Sequence, residues 1–580
     1  MPATRRLRIV AQDPSIRGPD GNVLTALVEL PYEALGPGPR GYRVHVVDYD
    51  SSQGVLYAPA DAWPDEADPF ADVPDDALLG SREFHAQNAY AIVMRLLGRF
   101  EFALGRRVSW GFGGHHLHVA PHAFAHANAY YSREYRGLYL GYFVGPRGQV
   151  VHNCLSHDVI AHEVTHALVD GLRANYVRPS HADQAGFHEG FADVVALLSV
   201  FGLPAVVAAL LPDAERGYGQ IGIERLTPEV LRASALLGLA EQFGRETTNL
   251  REDALRRAGA AEPDPGALAS PEYVEPHVRG EVLTAAVLNA FIAIWCRRLR
   301  AWLPERGTVA RERVAEEGGE AAEQLLTMAI RALDYCPVVD LSFGDFLSAL
   351  LTADRELLPD DGKYKYRDEL RRTFAQWAIA PSSERPRSGE EGLQEETGAW
   401  AKPTRAGELS CECVHRESLE RDPDEVFRFL WENRALLGLF EDAYTQVVSV
   451  RPCVRVGPDG FVLRETVSEY LQMADLPARE LSKKPLGISR PPGMPGDTPV
   501  RLYGGGTLVF DEFGRLKYHV HKRLDNSRRQ SERLRHLWEH GMRDSDGRYG
   551  FSDGAPTGQR FALAHLQRLG RLAREEDWDV

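Results

Sequence analysis

Residues 158–170 read DVIAHEVTHALVD, and no other stretch constrains the chain as tightly. Val159, Ile160, Val164, Ala167 and Leu168 recur at helical spacing, so a helix is expected here. Residues four apart share a helix face, which puts His162 and His166 side by side with Glu163 one residue along. H-E-x-x-H on a helix is the pattern of a zinc hydrolase, the histidines binding the ion and the glutamate acting as base. By itself it competes with a helix that carries two histidines on a wet face. Ser156 is expected to cap this helix, and Asp158 to sit in its first turn, where a carboxylate suits the positive end of the dipole.

The next helix shifts the balance. AGFHEGFADVVALLSVF (185–201) carries Glu189 and, four residues on, Asp193, on one face of an otherwise apolar, alanine-rich segment. Hydrolytic zinc sites use three protein ligands and leave a position for water. His162, His166 and Glu189 are expected to be that set, with Asp193 accepting the second ring N–H of a ligand histidine.

With these residues assembled, the chain resembles the thermolysin-like metallopeptidases of the gluzincin group over roughly residues 78–385. DVIAHEVTHALVD resembles the family's active-site helix, including the aspartate after the second histidine, here Asp170. HEGFAD resembles its second helix, with Glu189 and Asp193 in matching places. EPHVRGEVLTAAVLNAFIAIW (275–295) resembles the segment whose histidine stabilises the transition state, which would be His277. HANAYYS resembles the substrate-binding edge strand, so Asn128 and Ala129 would pair with the substrate backbone. The resemblance further implies Tyr176, one position off register, as an oxyanion donor, and Arg256 as the arginine that holds a substrate carbonyl. His188 stands where the family usually has asparagine, and the interval from His166 to Glu189 is longer than usual. Zn2+ is the implied cofactor, and a peptide or protein the implied substrate.

Outside this segment the reading rests on pattern. RLRIV, VLTALVEL and YRVHVVDYD, separated by PDG and GPGPRG, predict a small β-rich unit over residues 1–77. Residues 78–153 are expected as a catalytic N-terminal lobe, with a long helix from about Ser81 to Arg106 and then sheet. Residues 154–385 are expected as a helical lobe carrying the metal site. The polar, turn-rich residues 386–410 predict a linker, and 411–580 a separate α+β domain with a helix over 423–439 and hairpins at VGPDGF and DEFGR. The fold class is thus α+β multidomain, with a thermolysin-like catalytic unit between a β-rich N-terminal unit and the C-terminal domain.

A net charge of -16, from 67 basic and 83 acidic side chains, argues against nucleic acid or anionic lipid as the main partner. No secretory leader and no membrane span are evident, so a cytoplasmic location is expected. Six cysteines in 580 residues are too scattered for a disulfide framework. Cys411, Cys413 and His415 lack the partners a structural zinc needs, and Cys154 reads as a small buried core residue. His115, His116 and His118 read as rim residues. The basic stretch 521–541 reads as a solvated helix face. The leading expectation is a zinc endopeptidase. The alternative is a weak or inactive protease fold that binds a protein partner through its C-terminal domain.

Overall fold

In the first strand, β1 (Thr4–Val10), Leu7 and Ile9 are buried on alternate positions. It pairs antiparallel with β2 (Thr25–Pro31), from Thr4 opposite Pro31 to Val10 opposite Thr25. The structure is a computed structural model that describes residues 4–551 apart from 15, 16, 18–20, 62, 64–66, 146, 147, 212–218, 233–261, 302–306, 383–397, 404, 405, 411–413, 457–459 and 461. Arg256, Cys411 and Cys413 therefore lie outside the described residues, as do most of the expected linker and the tip of the VGPDGF turn.

After β3 (Val44–Val46), β4 (Tyr49–Asp50), β5 (Val55–Leu56) and the short helix α1 (Asp75–Gly80) comes α2 (Arg82–Leu104). Ser81 caps α2 by accepting from the Phe84 amide at 3.2 Å, and Gly105 ends it in the left-handed conformation, φ 66°. Most of α2 is buried, as suits a helix pressed by sheet on one side and helices on the other. β6 (Leu117–Ala125), β7 (Ala129–Ser132), β8 (Gly137–Val144) and β9 (Val150–His152) join β3 in a five-stranded mixed sheet. β6 runs parallel to both β3 and β8, while β7 and β9 pair antiparallel with successive halves of β8.

A 3-10 turn, Asn153–Leu155, leads into α3 (His157–Leu172), followed by α4 (Ala182–Phe201) and α5 (Pro204–Leu210). Ser156 occupies the N-cap position of α3 but does not cap it with its side chain; its hydroxyl is turned to Asp158 at 2.5 Å. The helices Pro276–Arg300, Arg311–Ala332, Phe343–Leu357 and Tyr366–Ala375 complete the helical half. The helix Pro276–Arg300 is long and apolar enough to cross a membrane, but 89% of its most apolar window is buried against neighbours. It packs on α4 through two glycines: a Cβ on Gly190 would lie 2.6 Å from the Gly280 carbonyl oxygen. That backbone contact brings Glu189 and His277 together.

The last part of the chain differs from the separate domain that its sequence suggests. The helix Pro423–Glu432 ends earlier than expected, and after the small antiparallel pair β10 (Gln220–Gly222) and β11 (Thr308–Ala310) of the helical half, β12 (Tyr444–Val456), β13 (Val462–Pro477), β14 (Pro499–Phe510) and β15 (Leu516–Lys522) form an antiparallel meander. This part has clusters of its own, but Cys453, Val467, Val509 and Tyr518 belong to the main core shared with α2 and the helical half. The N-terminal strands likewise bury Leu7, Ile9, Val10, Val28 and Leu30 in that core.

Charge is buried along the C-terminal seam. Asp334 pairs with Arg106 at 2.6 Å and with Arg455, and Arg455 with Glu465 at 2.6 Å. Arg173, at the C-terminal end of α3, pairs with Glu469 of β13, while Arg451 of β12 donates to the Leu172 carbonyl at 2.8 Å. At the other end of α3, the His157 amide donates to the Gln12 carbonyl at 2.6 Å. The helix Ser527–Glu539 is not simply a solvated basic face, because Arg529 and Arg533 turn inward onto the buried Asp340.

Candidate metal centre

α3 and α4 lie side by side and supply five of the six principal residues expected from the sequence. His162 and His166 project from one face of α3, their Nε2 atoms 2.9 Å apart. Glu189 faces them from α4, its Oε2 3.4 Å from His162 Nε2 and 3.6 Å from His166 Nε2. His162, His166 and Glu189 form a buried group whose donor atoms could hold a metal ion. A tetrahedral ion with bonds of about 2.0–2.1 Å needs donors roughly 3.3 Å apart, so these separations fit one shared ion. A donor set of two imidazoles and one carboxylate suits a borderline first-row cation.

Asp193, one turn beyond Glu189, meets His162 Nδ1 at 2.7 Å. With the proton on Nδ1 for that carboxylate, the Nε2 lone pair faces the ligand group. His166 Nδ1 lies 2.7 Å from His188 Nδ1, so His188 is the partner of the second ring nitrogen of His166. When His166 donates its Nδ1–H to His188, both His162 and His166 turn Nε2 lone pairs toward Glu189. Burial lowers the pKa of His166, against the opposing pull of Glu189, which keeps a lone pair available. Burial would raise the Glu189 carboxyl, but His277, His166 and His162 together hold it well below the usual carboxylate range.

His277 comes from the first turn of the helix Pro276–Arg300, its Nε2 3.4 Å from Glu189 Oε2. Its Nδ1 is held at 2.7 Å by Glu275, which is not among the residues expected from the sequence. The signal was present: an acid immediately before Pro276 marks a helix start. Glu275 does cap that helix, accepting from the Val278 amide at 2.8 Å.

Glu163 is fully buried, and its Oε2 accepts from the Tyr131 amide on β7 at 2.8 Å. The catalytic-base candidate is thus tied to the strand along which a peptide was expected to lie. Asp170 acts on that strand rather than on a metal ligand: it accepts from Tyr131 Oη at 2.8 Å and from Arg133 Nε at 2.7 Å.

The expectations for Tyr176, Asn128 and Ala129 meet a different arrangement. Tyr176 is buried with its hydroxyl donating to the Pro337 carbonyl at 2.5 Å, which commits the phenol away from an oxyanion role. The Ala129 amide is taken by Asn128 Oδ1 at 2.9 Å, and the Asn128 carbonyl accepts from the Gly141 amide and from Asn153 Nδ2, both at 2.9 Å. Those groups stabilise the strand end themselves. Arg256 lies outside the described residues. No protein-family model and no curated protein matches this chain.

Proposed function

We propose that the protein is a zinc-dependent endopeptidase of the thermolysin-like kind, cutting internal peptide bonds. The observation that carries this reading is the convergence of His162 Nε2, His166 Nε2 and His277 Nε2 on the single Oε2 of Glu189, with separations of 3.4–3.6 Å. His162, His166 and Glu189 would hold the ion. Bound there, zinc supplies Lewis acidity to a carbonyl and brings the pKa of a water down to about 7.

The rest is work for the chain. Glu163 takes the proton of the attacking water on its carboxylate and passes it to the departing amine, which makes it base and then acid in one turnover. Its bond to the Tyr131 amide fixes the carboxylate relative to β7, and Asp170 fixes β7 relative to α3 through Tyr131 and Arg133. His277, steadied by Glu275, is aimed where the carbonyl oxygen gains charge. Asp193 and His188 set which nitrogen of each ligand histidine is left for the metal.

The test is cleavage of a mixed peptide library with and without a chelator, alongside metal analysis. Chelator-sensitive internal cleavage by the parent protein, with Glu163→Gln keeping metal and fold but losing at least about a hundredfold in rate, supports the assignment. Zinc bound without cleavage points instead to a binding protein built on this fold. A Glu163→Gln variant as fast as the parent removes Glu163 from the mechanism.

A further inference from the structure

Three histidines and a cysteine meet at a second place in the molecule, away from Glu189. His85 comes from α2, His122 from β6, His152 from the end of β9 and Cys154 from the 3-10 turn that precedes α3. One donor atom from each lies within 4.8 Å of the others. His85, His122 and Cys154 are buried, with Cys154 fully enclosed.

The protons of the two central rings are already assigned. His85 Nε2 faces the Leu79 carbonyl at 2.9 Å, and a carbonyl only accepts, so the hydrogen is on Nε2. His122 Nδ1 faces the Asp48 carboxylate at 2.8 Å, which places its hydrogen on Nδ1. The remaining nitrogens, His85 Nδ1 and His122 Nε2, then confront each other with lone pairs at 2.8 Å. Two neutral imidazoles in these tautomers repel at that distance unless a cation lies between them. Cys154 Sγ is 3.9 Å from the same His122 Nε2, and the buried Nδ1 of His152 has no hydrogen-bond partner among the described residues.

We propose that His85, His122, His152 and Cys154 form a second metal site, closed and structural, for a tetrahedral cation of the Zn2+ class. Three imidazoles and a thiolate suit a borderline or soft first-row ion and disfavour Ca2+ and Mg2+, which require oxygen. Tetrahedral edges of roughly 3.3–3.8 Å are reached from the present spread by small side-chain shifts. Asp48 and the Leu79 carbonyl are the outer partners that ligand histidines normally have. On binding, the Cys154 thiol gives its proton to solvent and the sulfur becomes the anionic ligand. Four protein donors leave no position for water, so the ion joins α2, β6 and the start of α3 rather than doing chemistry.

The site is distinguishable from the first because only it contains sulfur. The experiment loads the full chain, stripped of metal under native conditions, with Co2+ and follows absorbance and stoichiometry. The expected result is a thiolate-to-cobalt charge-transfer band in the near ultraviolet, lost in Cys154→Ser and kept in His162→Ala, with bound cobalt falling by about one equivalent in each variant. A metal-dependent rise in Tm should survive in His162→Ala. No charge-transfer band in the parent protein overturns the proposal without reference to any variant's folding, and so does unchanged stoichiometry in a folded Cys154→Ser. An imidazolium ring on His122, detected by NMR in metal-saturated protein, would identify the cation between the rings as a proton.

Discussion

Replacing Glu469 by glutamine tests whether the C-terminal sheet holds the helix of the candidate metal site in place. The Glu469 carboxylate neutralises Arg173 at the end of α3, accepts from Ser449 Oγ at 3.0 Å and lies 3.4 Å from Arg451. Glutamine keeps the shape and removes the charge, leaving Arg173, 3% exposed, hydrogen-bonded among the described residues to the neutral Thr507 hydroxyl at 3.2 Å and the Leu333 carbonyl, with the weaker pull of Asp334 still acting on it. Breaking a buried pair by deleting one partner costs about 3–5 kcal/mol, because the surviving charge stays buried. At about 2 °C per kcal/mol for a cooperative unit of roughly 250 residues, Tm should fall by about 6–10 °C, measured by calorimetry. Combining Glu469→Gln with Arg173→Met removes both charges, and most of the loss should return. Acid adds a second signature. Burial would raise the Glu469 carboxyl, but Arg173, Arg451 and the Ser449 hydroxyl hold it below the usual range. A depressed folded-state pKa gives stability that is present above the unfolded value of about 4.3 and lost as pH falls through the folded value. The parent should therefore lose more Tm below about pH 4 than Glu469→Gln does. A single variant within about 1 kcal/mol of the parent, flat with pH, would refute the view that this seam is held by charge.

Three further outcomes follow from the metal centre. His188→Ala should weaken metal binding about 10–100-fold, and His188→Asn should recover most of it, since an amide can also accept the His166 proton; competition with a coloured chelator reads both. His277→Ala should lower turnover far more than metal content, and equal loss of the two would make it a ligand. Tyr176→Phe should leave turnover near that of the parent while costing about 1 kcal/mol in stability, because the Pro337 carbonyl loses its donor; a large fall in rate would restore the phenol to the mechanism.

The centre was legible because its key residues are local in sequence. His162 with His166, and Glu189 with Asp193, are four-residue pairs, and helix periodicity alone places each pair on one face. The second cluster was not legible, because its donors come from a helix, two strands and a turn, and nothing short of the fold brings residues 85 and 154 together. Cys154 was read as a core residue and is one by burial, yet its neighbours are imidazoles rather than only apolar groups. Tyr176 was placed by motif position, which carries no information about where a phenol points. The charges of the C-terminal seam were not legible for a different reason: Asp334, Arg455 and Glu469 look like surface charges in sequence, while the structure buries them as ion-pair partners, Asp334 also with the nearly enclosed side chain of Arg106.

The anchoring of α3 also has a consequence in time. Its first amide is bonded to a residue made early, Gln12, but the partner of Arg173 at its other end is 296 residues further along the chain. At about 5–20 residues per second, a ribosome needs roughly 15–60 s to produce that partner after it has finished the helix. During that interval the HEVTH segment exists without the carboxylate that neutralises its terminal arginine. A nascent chain thus completes the surroundings of its candidate metal-site helix only when synthesis is most of the way through the sequence.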